Sequence, residues 1–567
     1  MKRNLKQKNI IEILVLIAVV VIVNGLSSLS YKRIDLTSDN RYTLTDITIS
    51  TLESIEEVVY VQVYLEGEMP VGFARFKTAI HELLDEYKVY ARRNVMFEFI
   101  DPYDAGDKKE QQALFKDLSE MGLEPVNIRM KEDKGNFSQK IVFPGAVVNY
   151  KGQKTVVNLL RNNPALNSEQ NLDHSIEGIE YEFTSAIKKI IKVEFPFIAF
   201  VEGHGELDEY QTADITRELS EFYNIDRVVI NGQNDILDQY DAIIIAKPTK
   251  AFSEADKYVI DQYVMQGGKV LWAIDKIHAS MDSLSKGNTT LGLIHDLNID
   301  DQLFKYHVRV NPVFVQDIQC VNIPVNMALA GQQPKWVPTP WIYSPILAPP
   351  AENPITKGLN MIKSEFLNSV DMVGDNDLVT GTVLLTTSPY SKTVQAPVLI
   401  SLGDINKMPD ESSFTAGQVP VAVLMEGTFE SVYKNRIIKD FTKKTPERKY
   451  KETSTQTEMI VIADGDIMRN DVNYTPKGIM IRPLGIDKYT NKTYGNRQFV
   501  KNCVNYLCGE KELMQMRSRD FKIRMLDRTQ ATKKRIKWQL INVLLPLVLI
   551  VFAGFIFYFI RKKKYAA

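Results

Sequence analysis

Twenty consecutive residues near one end of this chain, Ile541 to Ile560 (INVLLPLVLIVFAGFIFYFI), carry no charge and run straight into Arg561-Lys562-Lys563-Lys564. At ~1.5 Å per residue such a run spans the ~30 Å hydrocarbon core of a bilayer, and Pro546 is tolerable inside a membrane helix. A helix buried in a soluble core would not end against four cations. The segment is predicted to cross a membrane, and the rest of the chain must fold within that constraint.

The other end carries a related pattern. Lys2, Arg3, Lys6 and Lys8 precede an apolar stretch from Ile10 to Leu29, whose unbroken core is Ile13 to Val23. No small-residue cleavage site follows, so it reads as an uncleaved signal anchor. Two spans would place both basic tails, 1–9 and 561–567, in the cytoplasm and about 500 residues on the exoplasmic side. Lys533, Lys534, Arg535 and Lys537 oppose that orientation, but long domains translocate largely regardless of charge. The expected arrangement is a membrane-anchored chain with an exoplasmic body. Between the spans the composition is ordinary. With 69 Lys+Arg against 70 Asp+Glu, the net charge of −1 excludes a globally basic nucleic-acid binder, and a mean hydropathy of −0.17 excludes a polytopic membrane protein.

From Val58 the pattern alternates strand and helix. VVYVQVYL reads as a strand, Phe73 to Tyr90 as an amphipathic helix, and VMFEFIDPYD as a second strand ending in a turn. This β-α-β order is that of a thioredoxin-like unit without redox cysteines. Strands at IVFPGAVVNY and KTVVNLL, parted by Lys151-Gly152, and a helix from about Ile176 to Lys192 complete a first α/β domain, 30–192. A second opens on the strand Pro196–Val201, followed by Glu202-Gly203-His204-Gly205-Glu206 and a helix. YDAIIIAKP and KVLWAID read as further buried strands around the helix SEADKYVIDQYVMQ, which Ser253 and Asp256 open and Gly267-Gly268 end. Continuous apolar strands in β-α-β order predict a parallel, doubly wound sheet over 193–300. Residues 301–455, proline-rich and then β-rich, read as an insertion, with the second domain completed over 456–512 from EMIVIADGD onward. A juxtamembrane linker, 513–539, precedes the span at 540–560.

Candidate chemistry is sparse. Glu202-Gly203-His204-Gly205-Glu206 lies at the carboxyl end of a strand, where open α/β sheets place ligands. His204 with Glu202 or Glu206 could form an acid/base pair or a weak metal site. Alternatively the glycines make the turn while Glu206, Asp208 and Glu209 complement a helix dipole; a non-catalytic binding surface is the preferred reading. Asp464-Gly465-Asp466 lacks calcium-loop spacing and reads as a strand-end turn. His81-Glu82 does not begin an H-E-x-x-H, and there is no G-x-x-x-x-G-K-[ST] and no G-x-S-x-G. The three cysteines show no metal or C-x-x-C spacing. Cys503 and Cys508, ~7.5 Å apart along a helix axis, are too distant to bridge. The cluster Trp336, Pro338, Pro340, Trp341, Tyr343 and Pro345 reads equally as an interface and as a satellite core. No cofactor or metal is expected.

Several segments together resemble the GldG family, membrane-anchored auxiliaries of a gliding-motility-associated ABC transporter. They are Arg33-Ile34-Asp35-Leu36-Thr37 with Asn40-Arg41-Tyr42-Thr43-Leu44-Thr45, Val201 to Glu206, Tyr240 to Ala246, Gly267 to Leu271, Asp464 to Asp466, and Asn496 to Leu507. The resemblance implies an envelope protein working with a separate permease and a separate ATPase. It also implies an ABC-transport auxiliary domain similar in fold to class I glutamine amidotransferases, here without a nucleophilic Cys and matching His. The family supplies no catalytic residues to carry over.

The reading is a non-enzymatic membrane auxiliary that binds a permease or substrate. Its candidate partner surface is Glu202, His204, Glu206, Trp336, Trp341 and Tyr343. An envelope hydrolase or amidotransferase using the Glu202–Glu206 turn, and a small-solute receptor, are the alternatives.

Overall fold

The computed structural model describes residues 13–20, 43–131, 137–160, 167–192, 195–326, 328, 332–350, 352–374, 378–406, 410–436, 450–476, 478–517 and 528–565. The chain divides into two compact units, Leu44–Arg519 and the two terminal segments, Met1–Thr43 with Asp520–Ala567. In the terminal unit, Arg528–Tyr565 is one helix with Pro546 inside it. Its stretch Lys534–Lys563 is long and apolar enough to cross a membrane, and its side chains are exposed throughout. Of the predicted first span, residues 13–20 are helical and exposed; its other residues, and the motif at Arg33–Tyr42, lie outside the described residues.

The unit Leu44–Arg519 begins with a four-stranded sheet in the order Val95–Phe99, Val59–Val63, Gly145–Tyr150, Gln153–Asn158. The first two strands are parallel and joined through the helix Val71–Tyr90; the others pair antiparallel. Lys151 and Gly152 both take positive φ, which the two-residue hairpin turn between the last two strands requires. Phe76, Ile80 and Leu84 of that helix meet Phe183 and Ile187 of the helix Ser168–Ile191 over one face of the sheet. The helix Lys108–Glu120 covers the other through Leu118, against Phe143 and Val147. The long helix starts at Ser168, not near Ile176, because Asn167 and Gln170 form a reciprocal cap. IVFPGAVVNY is not one strand either: it breaks at Pro144 into the end of Phe137–Val142 and Gly145–Tyr150.

The second sheet has seven strands in the order Val379–Thr386, Pro420–Gly427, Thr457–Ile462, Lys269–Ala273, Ala242–Ala246, Phe197–Glu202, Asn224–Val229. The last five are mutually parallel, and in chain order they run 2-1-3-4-5 from the outer edge inward. Their residues are buried alternately into two cores. Ile198, Phe200, Ile244 and Leu271 face the helices Ala213–Ser220 and Asn496–Leu507, while Val201, Ile243, Ile245 and Trp272 face Glu254–Met265. Covering on both faces is why the inner strands read as unbroken apolar runs, unlike the half-exposed edge strand Asn224–Val229. Within 301–455, two strands, Val379–Thr386 and Pro420–Gly427, join this sheet antiparallel at its edge. Other segments of that stretch build small sheets around Phe314, Trp341, Phe366 and Ile400.

The start of the folded unit is held by one carboxylate. Thr45 caps the helix Asp46–Glu53, and Glu180 Oε1 accepts hydrogen bonds from Thr45 N (2.8 Å), Thr45 Oγ1 (2.9 Å) and Thr48 Oγ1 (2.8 Å). Removing the acceptor strands the buried Thr45 N–H and leaves the Thr45 and Thr48 hydroxyls to each other and to Thr184 Oγ1. Glu180→Ala is expected to destabilise this unit by roughly 2–3 kcal/mol, with the amides of Asp46–Glu53 losing hydrogen-exchange protection first.

Candidate functional site

A sheet ordered 2-1-3-4-5 reverses its winding between strands 1 and 3, and ligands of open α/β folds bind in the crevice at that point. Here the crevice lies between the ends of Phe197–Glu202 and Ala242–Ala246. The chain closes it with its own backbone. His204 O accepts from Thr249 N (2.9 Å) and Lys250 N (2.8 Å), and Leu207 N donates to Ala246 O (2.9 Å). Thr249 Oγ1 donates to Gly205 O at 3.0 Å. Gly205 has φ +75°, and a Cβ there would lie 2.2 Å from Thr249 Oγ1, so only glycine lets the loops meet.

His204 is 5% exposed, and both ring nitrogens are taken. Nδ1 lies 3.0 Å from Glu206 Oε1 and Nε2 3.2 Å from Asp256 Oδ2, while the ring stacks on Phe252 with centroids 3.8 Å apart. Glu206 Oε2 also accepts from His204 N (2.7 Å), and Asp256 Oδ1 from Gly232 N (2.7 Å). Although burial opposes the charged ring, hydrogen bonds to Asp256 and Glu206 raise the His204 pKa to about 9. The imidazolium therefore holds together loops following three strands. It has no free nitrogen to act as a base or metal ligand. Glu202 is not part of this group; its carboxylate pairs with Arg227 Nη1 at 2.5 Å.

Beside it, at the ends of the next strands, Asp275, Asp464 and Asp466 bring carboxylate oxygens within 4.8 Å of one another. That donor set would suit a hard cation. An ammonium is already there: Lys247 Nζ lies 2.9 Å from Asp275 Oδ2 and also pairs with Asp466. Arg469 Nε lies 2.8 Å from Asp466 Oδ1. Lys247 takes φ +54°, and a Cβ on Gly465 would come within 2.5 Å of its side chain. Asp464 is a strand-end turn, as expected: Oδ1 accepts from Asp466 N (2.8 Å) and Oδ2 from Glu365 N (2.9 Å). Burial, then the charges of Asp466 and Asp275, push the Asp464 carboxyl far up. Asp466, despite its burial, is held low by Arg469 and Lys247. The cluster is a self-neutralised acid–lysine network rather than a vacant metal site.

No cysteine supplies a nucleophile. Burial pushes the thiols of Cys320 and Cys508 up to about 12 and that of Cys503 well above its usual range.

Residues 196–503, which include both networks and every strand of the seven-stranded sheet, match the family model ABC_transp_aux, described as an ABC-type uncharacterized transport system. The chain belongs to this family. Residues 38–149 match a second model, a domain of unknown function (DUF7088), over much of the first sheet. No curated protein matches the chain. A solved structure titled mmIFT52 N-terminal domain is similar at 13% identity and a TM-score of 0.31, over 55% of this chain and 97% of that one; a likeness at that level carries no argument.

The aromatic cluster lies within the ABC transport family region, and the structure divides it. Trp341, 3% exposed, and half-buried Tyr343 pack with Phe314 and Phe366, whereas Trp336 is 64% exposed. The six predicted site residues therefore do not form one site. His204 and Glu206 make the buried clamp, Trp341 and Tyr343 belong to a core, and Glu202 and Trp336 stand apart. Sequence reasoning missed Asp256 and Lys247. Asp256 looks like a helix-cap residue, and Lys247 carries a signal only as a cation between a buried strand and a proline.

Two predictions follow from these networks. His204 has a folded pKa raised above its ordinary 6.5, so its stabilisation is complete below pH 6.5 and fades as pH rises through about 9. Denaturant titrations of wild type and His204→Gln should differ by ~2–3 kcal/mol near pH 6 and converge by pH 9–10. Lys247→Met leaves Asp275 and Asp466 facing each other without their ammonium. It is expected to cost roughly 3–5 kcal/mol at pH 7, with part of the loss recovered under mild acid as a carboxylate protonates.

Proposed function

We propose that this chain is a non-catalytic auxiliary of an ABC-type transport complex in a bacterial cell envelope, held by its C-terminal helix and binding a membrane permease through its folded domains. Family membership indicates the auxiliary role in transport, and the exposed apolar helix Lys534–Lys563 fits a membrane anchor. The closed switch point carries the non-catalytic part: the crevice that would take a ligand is sealed by His204, which has no free nitrogen. That geometry also counts against a hydrolase or amidotransferase working through the Glu202–Glu206 turn.

Within the family, the resemblance to GldG supports a gliding-motility transporter with a separate permease and ATPase, and the chain carries no phosphate-binding loop of its own. The first domain is read as thioredoxin-like and the second as amidotransferase-like. Both termini are placed in the cytoplasm, with the folded unit in the periplasm.

Solubilisation of the full chain from its native membrane in mild detergent, followed by identification of the copurifying membrane subunits, tests this. A permease and an ATPase are expected to copurify, and His204→Ala or Glu206→Ala should lower stability without removing a chemical activity. Recovery of the chain with no transporter subunit would overturn the reading.

A further inference from the structure

The hairpin Cys320–Asn326/Trp336–Leu347 has an unusual surface. From Ile318 to Ala351 the chain holds 34 residues and one charge, Lys335, where the 25% charged average would place about eight. Its distal part, Asn322–Asn326 with Trp336–Pro340, pairs only with itself among the described residues. One face turns to the core through Ile323, with Val325 and Val337 half-buried. The opposite face presents three cross-strand rows: Asn326 with Trp336, Pro324 with Pro338, and Asn322 with Pro340. Five of those six residues are exposed and Pro324 is half-buried.

Proline has no N–H, so Pro324, Pro338 and Pro340 occupy ladder positions whose nitrogens would otherwise point outward as free donors. Their loss has two effects. A strand from another protein cannot be added along this edge, because the edge offers too few donors. The edge is also cheap to desolvate, because few donors are left without partners when water is removed. A surface with a single charge, Lys335, and half of its outward ladder positions occupied by proline suits a medium that supplies neither charges nor hydrogen-bond partners. An exposed Trp on such a surface is the side chain enriched where membranes meet water. A bilayer is also within reach of the chain: Lys534 begins the apolar span seventeen residues after Arg517, a tether of at most ~60 Å.

We propose that the Trp336–Pro338–Pro340 face of this hairpin rests on the lipid bilayer at headgroup depth, as a membrane contact additional to the spanning segments. Backbone carbonyls on the edge keep it at the interface, since the hydrocarbon core would leave them unsatisfied. The proposal rests on the membrane-anchor reading of Lys534–Lys563 and not on any transporter partner.

The chain has four tryptophans, which makes the test direct. Trp272 and Trp341 are buried in the protein, and Trp538 lies in the C-terminal helix. The full-length Trp538→Phe protein is reconstituted into phosphatidylethanolamine–phosphatidylglycerol vesicles, with and without acyl-brominated lipid. Bromolipid is expected to reduce its tryptophan emission, and the added change Trp336→Phe is expected to abolish that loss without altering the melting temperature. Equal quenching of the two proteins, or none in either, would overturn the proposal. A Trp336 emission untouched by bromolipid but shifted by an added transporter subunit would also overturn it and assign the face to a protein. Because the vesicles contain no other subunit, a failure to copurify a permease leaves this experiment unaffected.

Discussion

The ammonium of Lys247 sits among carboxylates from the ends of two other strands of the central sheet, and much of the carboxyl edge is organised around it. Carboxylates can be buried this closely only when cations accompany them, because the cost of desolvating each one is several kcal/mol. Lys247 and Arg469 meet that requirement for Asp275, Asp466 and Glu365. Next to it, the His204 imidazolium does the same for Glu206 and Asp256. The edge at which related architectures hold ligands is thus occupied by internal salt bridges that fix its loops.

An edge of this kind suits a protein whose task is to hold shape. A catalytic crevice needs room for substrate and groups with unused hydrogen-bonding capacity. This one has loops tied by backbone bonds and a histidine engaged on both sides. Family membership in an ABC-type transport system, which suggests a non-catalytic component, agrees with that economy. Exposed side chains such as Trp336 lie outside the buried networks.

Elements with a strong local signal were legible in the amino-acid order. Ala242–Ala246 and Lys269–Ala273 are apolar along their whole length because both faces are covered, and Ser253 and Gly267 mark the ends of the helix between them. The C-terminal helix was equally plain. Strand partners were not. Val379–Thr386 and Pro420–Gly427 look like parts of an insertion because nothing local says that they pair with Thr457–Ile462. The site was legible only in part for a similar reason. His204 drew attention through its glycines and acids, yet its partner Asp256 lies 52 positions away, in a helix start that already has an ordinary explanation. Trp336 and Trp341 share one composition and differ only in which side of a hairpin they occupy.

The sheet also sets an order of assembly. Thr457–Ile462 pairs with Lys269–Ala273 on one side and with Pro420–Gly427 on the other, so a middle strand is delivered long after its parallel neighbour. During synthesis the apolar edge of Lys269–Ala273 has no lasting partner until that late segment emerges. Long-range pairing of this kind is slow and leaves a sticky strand exposed in the interval. A chain delivered to its compartment unfolded would then need a companion to shield that edge, and the demand for chaperoning would fall on the first half of the second domain.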